Sequence, residues 1–161
     1  MYNILLKLAR NTFFYKKIQL HDTYETRVYL MFFHFSIIMF LTKKAGKKYS
    51  QDEYDNLFFN MENNLREIGF GDISVNKKMK DLNKILYDIL LKLQPSVNKE
   101  KKINFNYDLI SKYFKIFKDK SDPKYIEFED YFSEFYNYCT KLPLENMTKQ
   151  AINFNYNYGC T

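Results

Sequence analysis

Apolar residues recur along this chain three or four positions apart, and nowhere do they alternate for long enough to suggest a half-buried strand. Over residues 1–17, Ile4, Leu5, Leu8 and Thr12 share a face with Tyr15 near it, while Lys7, Arg10 and Lys17 fall toward water. That predicts one helix from residue 1 to about 17. A second helix is predicted from Asp22, because Glu25 three residues on completes a capping-box pattern with Asp in the Ser/Thr place. Its continuation, residues 28–41, is apolar almost throughout. A membrane span needs about 20 such residues, and Arg27, Lys43 and Lys44 bracket this run too tightly for that. A buried core helix is therefore the expectation. A helix apolar on every side must be covered on most of them, so residues 22–41 should be the central rod of a bundle.

Residues 43–49 read as a basic surface loop, and Ser50 with Glu53 gives a second capping box. The third helix is predicted to run to Ile68 with Leu57, Met61, Leu65 and Ile68 inward. Then comes a corner. Gly69 offers the positive φ that a helix needs just past its end, and Phe70 stands where a Schellman cap places an apolar contact back onto the last turn. Gly71 and Asp72 continue the turn, and Ser74 is the predicted N-cap of the next helix. That fourth helix, about residues 75–93, is the most regular, with Val75, Met79, Leu82, Leu86, Ile89 and Leu93 on one stripe and Lys77, Lys80 and Lys84 opposite. A polar hinge is expected over residues 94–102. Helices are expected over about 107–118, over 123–139 behind the Asp122-Pro123 start signal, and over 144–152. Residues 153–161 should fray. The result is a single all-α domain of six or seven helices.

The corner also carries a resemblance. Leu65-Arg66-Glu67-Ile68-Gly69-Phe70-Gly71-Asp72, followed by Val75 and residues 77–80, resembles the signature of the ubiquinol–cytochrome c chaperone family. Arg10 with Phe14-Tyr15, then residues 22–27 from Asp22 to Arg27, then His34, keep that family's order and approximate spacing. The likeness covers about residues 5–87, and the helices over 103–152 are more divergent. Asn76 stands where the family usually has proline, and Asp88 where glycine and arginine commonly follow Tyr87. The resemblance implies a non-enzymatic assembly factor of the cytochrome bc1 complex that holds newly made cytochrome b. It also implies contact with the ribosome near its exit tunnel, and the mitochondrial members pair with a small second protein. Because the likeness begins within the first ten or so residues, the expected setting is bacterial. There the chain would lie in the cytoplasm, peripheral to the inner membrane; in a eukaryote the matrix side would correspond.

Composition changes this picture little. The net charge of +6 favours anionic partners such as RNA or lipid headgroups, and makes a basic helical binding module the alternative reading. Lys77, Lys80 and Lys84, with Lys78 beside them, are its candidate surface; Phe70 and Tyr87 are further candidate partner residues. The two cysteines, Cys139 and Cys160, have neither CxxC nor metal-ligand spacing. There is no P-loop, GxGxxG or HExxH, and no cofactor is expected. His34, inside the apolar run, reads as a core histidine bonded to a polar neighbour ahead of a haem ligand or a base. Arg27 is expected to pair with Glu67 or Asp72 and lock the corner to the central helix. The aromatic-rich stretch 110–136, together with the corner, is expected to leave an apolar groove for a client helix.

Overall fold

The apolar run does form the centre of the molecule. The computed structural model describes residues 1–99 and 102–159; Cys160 lies outside the described residues. It forms the central helix, α2, over Tyr24–Lys44. Thr23 caps it, the hydroxyl accepting from the Thr26 N–H at 3.2 Å. The sequence pattern puts Asp22 in that role. Asp22 instead lies one residue outside, its carboxylate 3.3 Å from Arg27 Nε. Every side chain from Leu30 to Ile38 is buried, because α1 (Tyr2–Ala9), α4 (Asp72–Lys92) and α6 (Pro123–Thr140) all pack on α2. No helix among the described residues is long and apolar enough to cross a membrane.

The expected first helix is broken. Asn11 turns its side chain back to accept from the Phe13 N–H at 3.0 Å, a local bond that competes with helical continuation. α1 stops at Ala9, and a π-helical turn follows over Phe13–Lys17. The wider turn sends Phe13, Phe14 and Ile18 all into the core, which an ordinary helix would not do with neighbouring residues. Gln19 then takes a left-handed φ of 65°.

Ser50 stands at the N-cap of α3 (Gln51–Glu67), without a side-chain bond to it. α3 and α4 fold back on each other, and Tyr54 Oη donates to Asn83 Oδ1 at 2.8 Å between them. After α4 a short antiparallel pair, β1 (Ser96–Val97) and β2 (Ile103–Asn104), closes the two ends of the segment expected to be a hinge. The Ile103 N–H donates to Ser133 Oγ on α6 at 3.3 Å, which pins that pair to the bundle. α5 (Tyr107–Tyr113) is capped by Asn106 and ends sooner than its pattern suggests. Phe114 leaves helical geometry there, and both Phe114 and Phe117 reach the ring of Phe128 at 5.1 Å. α6 begins as predicted, with Asp122 accepting from the Lys124 N–H and Pro123 at its first position. α7 (Met147–Gln150) and one 3₁₀ turn complete the helices, seven α-helices among the described residues.

Two expectations about aromatic residues change. Phe114, Phe117, Tyr125, Phe128, Tyr131, Phe132, Phe135 and Tyr136 are buried, so the stretch 110–136 supplies core and not a client groove. Nor does the chain fray from residue 153. Phe154 packs edge-on to Tyr131 and Phe135, Tyr156 packs on Phe13 and Tyr131, and Tyr158 reaches Phe13. Tyr158 Oη also shares a hydrogen bond with Thr12 Oγ1 at 2.9 Å.

Candidate functional site

The corner between α3 and α4 is a Schellman cap. The Gly69 N–H donates to Arg66 O at 2.9 Å and the Phe70 N–H to Leu65 O at 3.2 Å, the two bonds that define that motif. Gly69 takes φ 105°, where a side chain would be strained. α4 starts earlier than its sequence suggests, with Gly71 at the N-cap and Asp72 as first residue. Ser74 therefore lies inside the first turn, exposed. A carboxylate at that first position suits the positive end of the helix dipole. It also meets Arg66, which pairs with both Asp72 and Glu62 and so straps one helix end to the next helix start.

Leu65 and Val75 are buried beneath this strap. Ile68 is not: it is 57% exposed, since the chain has already left the helical path that would turn it inward. Phe70 also faces out. The apolar contact expected of it is replaced by the Lys78 ammonium, 4.7 Å from its ring centroid. Arg27 does not reach the corner. It is held by Asp22, and its Nε also donates to Thr23 O at 3.3 Å, so the expected pairing with Glu67 or Asp72 is absent.

Beyond the corner, α4 divides cleanly. Val75, Leu82, Leu86, Ile89 and Leu93 are buried, with Met79 half-buried. On the far side Ile73, Lys77, Lys80, Lys84, Tyr87 and Leu91 are all exposed. Their spacing alternates four and three, which keeps them within about 40° of one line on the helix at 100° per residue. The lysines occupy its middle; Ile73 at one end is 88% exposed, and Tyr87 and Leu91 at the other are 56% and 69%. Among the described residues, five of the eight exposed large hydrophobics lie on α4 or its corner. The sequence reading found the lysines but missed Ile73 and Leu91. The signal was there: both continue the lysine register, whereas the core stripe has no place for them.

His34 is wholly buried. Nδ1 lies 2.6 Å from Leu30 O, which can only accept, so this nitrogen carries the proton and Nε2 accepts from Tyr131 Oη at 2.9 Å. Burial pushes its pKa down to about 4, so it stays neutral. It is a core histidine that ties α2 to α6. Asp88, flagged only as a departure, proves structural as well. It accepts from Lys92 at 2.5 Å, Lys112 at 2.7 Å and Tyr113 Oη at 2.5 Å, and those donors hold its carboxyl far below the usual carboxylate range. Buried Cys139 has its thiol pushed up to about 12 by burial, which makes it inert. Among the described residues no group of three or more His, Cys, Asp or Glu could hold a metal ion.

The surface of α4 thus carries an amphipathic face beside a capped corner. The sequence profile described as ubiquinol-cytochrome C chaperone matches residues 16–111, three-fifths of the chain. That span takes in α2, the corner, the whole outer face of α4 and the start of α5, and so extends beyond Tyr87, while Arg10, Phe14 and Tyr15 fall outside it. No curated protein and no solved structure matches the chain. Central rod, glycine corner and matched span agree, and the chain belongs to the ubiquinol–cytochrome c chaperone family.

Proposed function

We propose that this protein supports assembly of the cytochrome bc1 complex by holding newly made cytochrome b, with the outer face of α4 and the adjoining corner as its contact surface. The observation that carries this reading is the face itself: Ile73, Tyr87 and Leu91 left in water at the two ends of a row of lysines. Isolated exposed hydrophobics are ordinary, but an aligned set on one helix marks an interaction surface. Cytochrome b is a membrane protein, so its new segments are apolar and flanked by polar loops. Apolar ends on α4 suit the segments, and lysines suit acidic loops or the lipid phosphates beside them. The work is binding, not catalysis. It would take place at the membrane surface where cytochrome b is inserted, with the ribosome as a further partner.

The test is capture. The full chain, carrying an affinity tag, should bring down cytochrome b from membranes of its own host. Deleting the gene should remove the bc1 complex while leaving other respiratory complexes in place. Replacing Ile73, Tyr87 and Leu91 together by Ser should abolish capture without unfolding the protein. Capture unaffected by those changes would remove α4 from the site; failure to capture cytochrome b at all would remove the function.

A second reading rests on the lysines alone. Lys77 and Lys80 have no carboxylate partner among the described residues, and Lys84 has only Asp81 at 3.9 Å. A binder of RNA or of an anionic membrane would lose affinity steeply with salt, with a slope of about −0.9 per phosphate contact for duplex nucleic acid. It would leave bc1 assembly untouched.

A further inference from the structure

The break after α1 does more than rearrange the core. Between the end of α1, the π-helical turn and the start of α2 lies an open cleft of about 450 Å³, lined by Arg10, Thr12, Tyr15, Lys16, Asp22 and Arg27. Three cations face one carboxylate, an excess of two positive charges. The carboxylate is already engaged by Arg27 Nε, and Thr23 O accepts from the same nitrogen. That anchorage fixes the guanidinium plane while its two terminal nitrogens have no partner among the described residues. The side chains of Arg10 and Lys16 likewise have none. Tyr15, which lines the cleft, donates from Oη to Ala9 O at 2.8 Å and braces the π turn against the end of α1. The π turn and the left-handed Gln19 are strained backbone, and such segments recur at functional sites.

We propose that this cleft binds a phosphate ester. A guanidinium held by one edge offers its other nitrogens as a planar fork that matches phosphate oxygens. Arg10 and Lys16 supply the remaining charge, and the Thr12 hydroxyl lies at the rim. The cleft is open and leaves room beside the phosphate for the organic group of an ester. Its direction is given by a neighbouring cleft of about 570 Å³ that shares Arg10 and Thr12 and adds Leu6, Leu8, Ile152 and Phe154. A ligand reaching past Arg10 meets those apolar side chains set among the polar ones of Asn3, Lys7, Asn11 and Asn155. The ester is therefore either a small soluble one confined to the cationic cleft or a lipid phosphate whose chain lies along α1. This site is distinct from the face of α4, and its test does not involve cytochrome b.

Calorimetric titration of the full chain with glycerol 3-phosphate, and separately with water-soluble dihexanoyl phosphatidate, distinguishes the two. Saturable one-site binding of at least one ester is expected. Arg10→Gln with Lys16→Gln, both exposed positions, should weaken it roughly tenfold or more, as loss of two charge-assisted contacts requires. Lys47→Gln with Lys48→Gln removes the same charge from a distant loop and should cost no more than roughly twofold through the general field. Preference for phosphatidate identifies the lipid source and equal affinity identifies the soluble one; either supports the site. Absence of saturable binding with both esters, or equal losses in the two double variants, overturns it.

Discussion

Gly69 and Gly71 sit two residues apart in the same corner and do different work. Gly69 is at φ 105°, and a Cβ added there meets nothing within 4 Å, so the cost of Gly69→Ala is conformational alone. Chemical denaturation should show a loss of about 1–2 kcal/mol. Gly71 is extended at φ −72° with equally open surroundings, and Gly71→Ala should fall within about 0.5 kcal/mol of the parent. His34 carries a second residue-scale consequence. Its pKa lies near 4 in the fold against an ordinary value of 6.5, so the unfolded chain takes up a proton that the folded chain refuses. The stability this represents is complete above about pH 6.5 and lost as pH falls toward 4, at up to about 1.4 kcal/mol per pH unit. In His34→Gln that acid-side slope should disappear from a pH series of denaturation curves. The variant should also be less stable at neutral pH, with the Tyr131 hydroxyl imperfectly met.

At the scale of elements, the union of α4 with α5 depends on Asp88, which receives Lys92 from its own helix and Lys112 and Tyr113 from the next. Its carboxyl titrates below the ordinary range, so this contribution is intact above about pH 4 and is lost only as pH falls further. Asp88→Asn should cost roughly 1–3 kcal/mol near neutral pH and release α5 first, visible as faster amide exchange over Tyr107–Tyr113. This junction was illegible in the sequence, because its three donors come from 4, 24 and 25 residues away along the chain and have no local pattern. Helices with a strong register were legible: α2 from its apolar run, α4 from its stripe, α6 from its Asp-Pro start. The Gly69 cap was legible too, because backbone geometry there depends on one residue type. What misled was competition among short polar side chains. Thr23 displaced Asp22, Asn11 cut the first helix, and the dipole and Arg66 drew the start of α4 forward to Asp72. Each is a choice between neighbours that differ by about 1 kcal/mol, below what pattern alone resolves.

For the whole molecule, stability and client binding should separate. Ile73 and Leu91 contribute little to the core, so Ile73→Ser and Leu91→Ser should change the free energy of unfolding by no more than about 0.5 kcal/mol. On the function proposed above, the same changes should impair capture of cytochrome b. A core change such as Leu65→Ala should do the reverse in order: a loss of about 2–5 kcal/mol, with client binding reduced only as the folded fraction falls. The sequence showed which helix is central and which face is basic, but not that the aromatic residues from Phe114 to Tyr136 turn into the core. That outcome depends on Phe13 and Phe14 entering the same cluster through the π turn.

The bond from Thr12 to Tyr158 spans 146 positions, and the rings of Tyr156 and Tyr158 roof over Phe13. In a polypeptide emerging from the ribosome Phe13 is made well ahead of Tyr156 and Tyr158, so this greasy floor stays open until its roof arrives. Chains cut before Phe154 should aggregate where full-length chains stay dispersed. A member of a chaperone family thus has, during its own birth, a need of shelter.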